Sequence, residues 1–282
     1  MSRPSNNNQD LLNASTVWRI LSADMQRSLS HIGVFDELDS TNAYLLRKTV
    51  SGECARQVCL AETQTAGRGR YGKTWISPRG GNLYMSLGWR LDEVPAAITQ
   101  LSLLIGIALA DALAALGIER LGLKWPNDIM WQGRKLGGVL IEAAGGCIVI
   151  GVGLNVRIPQ FAAEKIDQPW TDLATALQRD VPSRNWLAAS VLEAIIRMLD
   201  SIERETTGRL RVAWRRYDLL YGKVVVLESS SGMQHGTGLG VDERGRLLLH
   251  INGQERGFAS GDARLKREQG GPTEFQERGR TP

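Results

Sequence analysis

The chain has 282 residues, 43% hydrophobic and 23% charged, with a net charge of +4 and an isoelectric point near 9.1. This balance fits one large soluble domain, or a domain plus a small one, and without a concentrated cationic face it is too mildly basic to mark a nucleic-acid binder. Cys54, Cys59 and Cys147 form no C-x-x-C pair, which fits a reducing cytoplasm and argues against a thiolate metal site.

Residues 1–10 are polar, lack the apolar centre of a secretory signal and are expected to be disordered. The spacing of Val17, Ile20, Leu21 and Met25 predicts one short helix between Ser15 and Leu29, so residues 1–28 read as a partly disordered extension too short for a domain. Ile32 to Leu38 reads as a strand. Asp39-Ser40-Thr41-Asn42 then offers caps for a helix running through Leu46, and Val58 to Ala61 reads as a second strand.

The stretch Thr65-Ala66-Gly67-Arg68-Gly69-Arg70-Tyr71-Gly72-Lys73-Thr74-Trp75 packs three glycines and three cations together. Glycine lets the backbone approach a ligand, and Arg68, Arg70 and Lys73 supply charge-assisted donors, so the segment reads as an anion-binding loop. The competing readings are a solvated basic turn and a glycine-arginine segment that holds nucleic acid without sequence preference. Gly67 to Thr74 also matches the spacing G-x-x-x-x-G-K-[ST] of a nucleotide phosphate loop, which requires a helix starting at Lys73. The following Trp75-Ile76-Ser77-Pro78-Arg79-Gly80-Gly81 has no helical period, which weighs against it.

Asn82 to Leu91 reads as a strand, and the apolar run Leu101 to Leu116 as a buried helix. Pro95 suits its first turn and Gly117 its stop, and Ile98, Leu101, Ile105, Ala108, Leu109 and Ala112 share one face. Ser102, Gly106 and Asp111 interrupt the ~20 apolar residues that a bilayer needs. Turns at Gln132-Gly133 and Gly145-Gly146 imply three antiparallel strands ending near Val156. Residues 157–182 are irregular apart from a short helix near Leu173 to Leu177. Ser183 caps an amphipathic helix that buries Trp186, Leu187, Val191, Ile195, Leu199 and Ile202. A helical piece from Leu210 to Leu220 ends at Gly222, and five short strands between Lys223 and Lys266 suggest a small closed barrel. The last residues read as a loose tail.

Six motifs in one order then become informative: Asp39-Ser40-Thr41-Asn42, Glu62-Thr63-Gln64 running into Gly67-Arg68-Gly69-Arg70, Asn82-Leu83-Tyr84, Lys124-Trp125-Pro126-Asn127-Asp128, Arg134-Lys135-Leu136-Gly137-Gly138, and Gly151-Val152-Gly153-Leu154-Asn155-Val156. From about Phe35 to Leu265 the chain resembles the biotin protein ligases. The resemblance implies an α+β catalytic domain over 29–221, a mixed sheet with helices similar to class II aminoacyl-tRNA synthetases. An SH3-like domain over 222–267 and a disordered tail over 268–282 complete the expectation. It also implies that ATP and biotin, with Mg²⁺, yield biotinyl-5′-AMP, and that biotin passes to one lysine of a biotin carboxyl carrier protein in the cytoplasm.

Carried over by position, Ser40, Thr41, Asn42, Gln64, Arg68, Gly69, Arg70 and Lys135 are the implied biotin contacts. Gly67, Lys73, Trp75, Asn127 and Asn155 fall on the nucleotide side, while Arg70, Lys135 and Lys124 are the catalytic cations. The resemblance identifies no metal ligand. Lys73 stands where the family often has arginine, keeping charge but losing the bidentate fork. The N-terminal part is shorter than in members with a DNA-binding winged helix, so neither DNA nor a membrane is an expected partner, and a homodimer through the sheet stays open.

The chemistry suits these residues. A carboxylate brought to about 4 Å from an anionic phosphate is repelled by roughly 4 kcal/mol at an effective dielectric of about 20, so cations must screen the contact. The substrate carboxylate is itself the nucleophile, and His31, His235 and His250 lie outside every motif. Residues 65–74 are expected to be mobile without ligand and to close over the water-sensitive product. Trp75, Trp89, Trp125 and Trp131 are candidate walls of the site, with core packing favoured for Trp89 and Trp131. Asp128 is left as a lysine orienter, a metal ligand or a turn residue. A lipoate or octanoate ligase of the same fold, a phosphate-loop NTPase and a nucleic-acid-binding regulator are the alternatives.

Overall fold

The computed structural model describes residues 11–90, 98–202, 209–230 and 232–266. Seven strands form one mixed sheet in the order β1-β2-β3-β7-β6-β5-β4, built from β1 (His31–Leu38), β2 (Gln57–Gln64), β3 (Asn82–Arg90), β4 (Leu121–Lys124), β5 (Asp128–Trp131), β6 (Arg134–Ala144) and β7 (Cys147–Asn155). Only β1 and β2 run parallel, joined through helix α3 (Thr41–Lys48), and the other neighbours are antiparallel. The hairpin between β5 and β6 turns at Gln132 (φ 47°) and Gly133 (φ 73°), positive at both positions as a type I′ turn demands.

Strand alternation sorts the sheet into two faces. Val58, Leu60, Met85, Ile148, Ile150 and Val152 belong to the large core, covered by α4 (Ile98–Ala115) and α7 (Arg184–Ile202). Cys59 and Val149, one residue out of phase, meet Leu45 of α3 in a smaller cluster on the opposite face. Along β3, β6 and β7 that second face carries Ser86, Gly138, Glu142, Gly151 and Gly153. Small and polar residues there leave an open floor, while the large aliphatics hold the helices.

Several expectations change. The single N-terminal helix is two, α1 (Ala14–Ile20) and α2 (Ala23–Arg27), because Leu21 is extended (φ −63°, ψ 140°). The Leu121–Lys124 stretch is a strand that sequence reading missed. It pairs with Tyr217 and Leu219 through backbone bonds of 2.7 and 3.1 Å, so the predicted Leu210–Leu220 helix ends early, as α8 (Arg209–Arg215). Residues 157–182 hold two short helices, α5 (Gln160–Ala163) and α6 (Leu173–Leu177). Ser183 does cap α7, accepting from the Trp186 amide, but the Trp186 side chain is 38% exposed. Helix α4 is buried on more than one face: Leu103, Ile107 and Ala110 are covered as fully as Leu101 and Ile105, whereas Ile98 is exposed. At 18 residues and a mean hydropathy of 1.8 it does meet the length and composition of a membrane span. It lies against α7, α8, β4, β5 and β6. Pro95 and Leu91 fall outside the described residues, as do the polar N-terminus and the C-terminal tail.

The second sheet, β8 (Val224–Ser229), β9 (Gly232–Val241), β10 (Leu247–Ile251), β11 (Gln254–Phe258) and β12 (Asp262–Leu265), is antiparallel in the order β11-β10-β9-β8-β12. Its ladder is open, with β11 and β12 as edges, and not the closed barrel expected. Val225, Leu227, Leu247, Leu249 and Ile251 join the main core. The Trp125 indole donates to the Gly245 carbonyl at 2.9 Å, and Gly245 (φ 76°) packs so closely that a Cβ would lie 2.8 Å from Cα of Gln100. All three cysteines are buried and unpaired.

Candidate functional site

Four elements converge on the open face of the sheet: the start of α3, the loop after β2, the hairpin β5–β6 and the centre of β7. Ser40 caps α3, its hydroxyl accepting from the Ala43 amide at 3.4 Å. Thr41 donates its backbone N–H (2.9 Å) and its hydroxyl (3.2 Å) to Gln64 Oε1. Ser86 Oγ on β3 lies 2.7 Å from the Thr41 hydroxyl and 2.6 Å from Asn42 Oδ1. Asn42 in turn donates to the Leu140 carbonyl (3.2 Å) and to Glu142 Oε2 (2.9 Å). It sits this low because residue 151 is glycine: a Cβ there would stand 2.2 Å from Asn42 Oδ1. Capping and a polar network therefore coexist in the same three residues.

The glycine-cation loop folds as a tight hairpin. Arg68 and Thr74 form a bridge, the Gly69 amide donates to the Lys73 carbonyl at 2.7 Å, and a short 3₁₀ turn spans Arg70–Gly72. No helix begins at Lys73, so the phosphate-loop NTPase reading is excluded. Gly67 is required because a Cβ would lie 2.4 Å from the Trp75 carbonyl. Tyr71 adopts a left-handed backbone (φ 55°), a conformation that costs a non-glycine residue about 1–2 kcal/mol, and its hydroxyl accepts from the Gly261 amide at 2.9 Å. Arg70 stacks over the Tyr71 ring and reaches its hydroxyl at 3.1 Å. It also lines a cavity of about 50 Å³ with Thr99, Ser102, Pro126, Val139 and Leu140.

The other expected cations separate into three environments. Arg68 pairs with Glu142 at 2.7 Å. Lys73 pairs with Asp262 of β12 at 2.7 Å, which ties this end of the loop to the second sheet. Burial raises the Asp262 carboxyl, yet hydrogen bonds from Lys73 and Arg264 and the charges of Lys124 and Lys73 outweigh it and hold the group at about 2. Lys124 and Lys135 share one nearly buried carboxylate: Asp128 Oδ1 is 2.7 Å from Lys135 Nζ, and Oδ2 is 3.3 Å from Lys124 Nζ. Asp128 thus orients lysines, and it does so for two of them.

Trp75 lies flat on the floor at Gly153, where a Cβ would meet its ring at 2.6 Å, and Lys135 Nζ is 5.3 Å from the ring centre. Its indole N–H is buried with no hydrogen-bond partner among the described residues. An unpartnered donor beside a glycine floor and a lysine fits an acceptor on a bound ligand. Trp125 does not wall the site: it is fully buried and bonded to Gly245. Trp89 stacks with Arg56, and Trp131 donates to the Glu119 carbonyl, as core residues do.

The amides expected on the nucleotide side hold backbone in place. Asn127 donates to the Val139 carbonyl at 3.0 Å, and Asn155 to the carbonyls of Thr171 (2.9 Å) and Lys135 (3.3 Å). The Lys135 backbone is clamped further by Pro169 and Thr171, each through a 2.9 Å bond. Sequence reading missed Glu142, Ser86 and Asp262. The one available signal was strand alternation, which puts Glu142 on the same face as Gly138.

Residues 34–155 match the biotin/lipoate A/B protein ligase family. The chain is 37% identical over 242 residues to the bifunctional ligase/repressor BirA of Escherichia coli, covering 83% of this chain and 74% of that protein. It is 34% identical over 258 residues to the biotin–[acetyl-CoA-carboxylase] ligase of Mycobacterium tuberculosis, covering 89% and 91%. The biotin protein ligase of Aquifex aeolicus in complex with biotin and ATP superposes with a TM-score of 0.73 at 28% identity, over 85% of this chain and all of that one. With the motif order and the mixed sheet agreeing with these similarities, the chain belongs to the biotin protein ligases of the biotin/lipoate A/B protein ligase family.

Proposed function

We propose that the chain activates biotin with ATP as biotinyl-5′-AMP and transfers it to a lysine of a biotin carboxyl carrier protein. The observation that carries this reading is the pair Lys124 and Lys135, held by the single carboxylate of Asp128 next to Trp75 and the glycine-cation loop. In the first step a biotin carboxylate oxygen bonds to the α-phosphorus of ATP, and the bond from that phosphorus to the diphosphate oxygen breaks. Lys135, Lys124 and Arg70 stabilise the charge that moves along this line, and no protein nucleophile is needed. In the second step the neutral ε-amine of the carrier lysine attacks the acyl carbon, AMP leaves with the bonding pair, and the nitrogen releases one proton to solvent. Water would compete for the same carbon, so the loop over 65–74, tied to the second sheet through Tyr71 and Lys73, shelters the intermediate.

Ser40, Thr41, Asn42, Gln64, Arg68, Gly69, Arg70 and Lys135 are assigned to biotin. Gly67, Lys73, Trp75, Asn127 and Asn155 serve the nucleotide side, Lys73 and the two amides by holding backbone and loop in place. Among the described residues no three His, Cys, Asp or Glu converge. Mg²⁺ carried on the nucleotide phosphates would neutralise part of their charge. The reading includes a class II synthetase-like catalytic domain over 29–221, an SH3-like domain over 222–267, a cytoplasmic setting and neither a DNA nor a membrane partner. Incorporation of labelled biotin into a carrier domain tests it: the natural chain labels one lysine, and Lys135→Ala and Arg70→Ala lose most of the rate. Equal labelling by all three proteins would overturn the site assignment.

A further inference from the structure

Glu142 lies on β6 at the edge of the site and has both oxygens engaged by different elements. Oε1 accepts from Arg68 of the loop at 2.7 Å, and Oε2 accepts from Asn42 of α3 at 2.9 Å. The two donors are 74 and 100 positions away in sequence. The Arg68 side chain is 47% exposed and would otherwise sample many rotamers. Asn42 is buried, bonded to Ser86 and seated against the bare Gly151 beside it on the floor of the sheet. The carboxylate therefore references a mobile-type side chain to a rigid one. A guanidinium presents five donors in a planar fork, so one nitrogen held at the back by Glu142 leaves the remaining N–H groups pre-aimed.

We infer that Glu142 is a positioning residue for the acid substrate: it fixes Arg68 against Asn42, so that the loop presents its guanidinium to biotin in one geometry. This inference rests on the proposed function. Electrostatics alone makes the opposite forecast for the nucleotide, because removing an acid makes the site one unit more positive and does not weaken the binding of an anion. The two substrates should thus respond differently, which a merely structural role would not produce. Glu142→Gln preserves shape, but its amide nitrogen faces one of the two donors, so it can serve only one arm.

The experiment is steady-state kinetics of biotin-dependent ATP–pyrophosphate exchange for the natural chain, Glu142→Ala, Glu142→Gln, Arg68→Ala and the Arg68→Ala/Glu142→Ala double variant, with thermal melting of each. The expected result is a KM for biotin raised about tenfold in Glu142→Ala and by an intermediate factor in Glu142→Gln. The KM for ATP stays within twofold, and the double variant is no worse than Arg68→Ala alone. A biotin KM within twofold of the natural chain in Glu142→Ala, a parallel rise of both KM values, or additive effects in the double variant would overturn it. A natural chain without biotin-dependent exchange would instead overturn the proposed function.

Discussion

Asp128→Asn is the sharpest perturbation of the site. The carboxylate side chain is 9% exposed and carries both lysines, at 2.7 and 3.3 Å, themselves 15% and 23% exposed. Replacing one oxygen by an amide removes the charge at nearly constant volume, so packing is unchanged and the lysines lose their common reference. Each contact is an ion pair between a nearly buried carboxylate and a partly shielded ammonium, worth somewhat more than the ~1 kcal/mol of a surface pair, and both lysines keep some access to water in place of the lost partner. About 2–3 kcal/mol of orientation is therefore at stake, which is a fall in kcat of roughly 30- to 150-fold at 1.36 kcal/mol per decade. Single-turnover formation of the adenylate reads this step directly, with ATP binding measured in parallel. ATP affinity should hold or rise, because the cluster becomes one unit more positive. A kcat within threefold of the natural chain, in a variant that melts normally, would refute the idea that this carboxylate positions both cations.

The buried pair Glu62–Arg184 makes a second test. Both side chains are 2% exposed, Arg184 Nη2 lies 2.9 and 3.1 Å from the two carboxylate oxygens, and Glu62 also accepts the Leu12 amide at 2.7 Å. Glu62→Ala removes a buried carboxylate that the Arg184 guanidinium and the Leu12 amide share, and should cost about 1.5–3 kcal/mol in urea unfolding, and a loss under 1 kcal/mol would contradict the pairing. Asp262 gives a pH dependence. Its folded value is depressed from 3.8 to about 2, so its contribution is present above about pH 4 and is lost as pH falls toward 2. With a side chain 21% exposed and partial screening, that contribution is about 1 kcal/mol. Asp262→Asn should therefore unfold more easily than the natural chain at pH 6, with the gap closing by pH 2, and a gap that is constant with pH would count against the Lys73 tie.

The legible parts of the fold were those with strong local grammar. Ser40 and Ser183 cap helices where a serine precedes an apolar period, and Gln132-Gly133 turns a hairpin because both residues take positive φ. What escaped lacked a local signal. Leu121–Lys124 is a strand through its antiparallel ladder with β5, joined across Trp125-Pro126-Asn127 without the glycine that marks a hairpin turn, and its backbone bonds to Tyr217 and Leu219, nearly a hundred residues away, end α8 early. Trp186 looked apolar enough to bury, but at the first turn of α7 it lies off the stripe of Leu187, Val191 and Ile195.

At the site, residue types and order were informative while partners were not. The loop announced itself by composition, yet nothing local to Arg68 or Lys73 points to Glu142 or Asp262, 74 and 189 positions away. The glycines at 151 and 153 read as part of a motif, and their physical reason is contact: Asn42 and Trp75 occupy the volume a side chain would need. Trp125 sat in the middle of a motif and proved to be core, because its indole closes on the second sheet.

The most direct measurement is ATP–pyrophosphate exchange by the natural chain with biotin or lipoate as the sole acid. The expected result is exchange that depends on biotin and is absent with lipoate. Exchange driven by lipoate and not by biotin would contradict it.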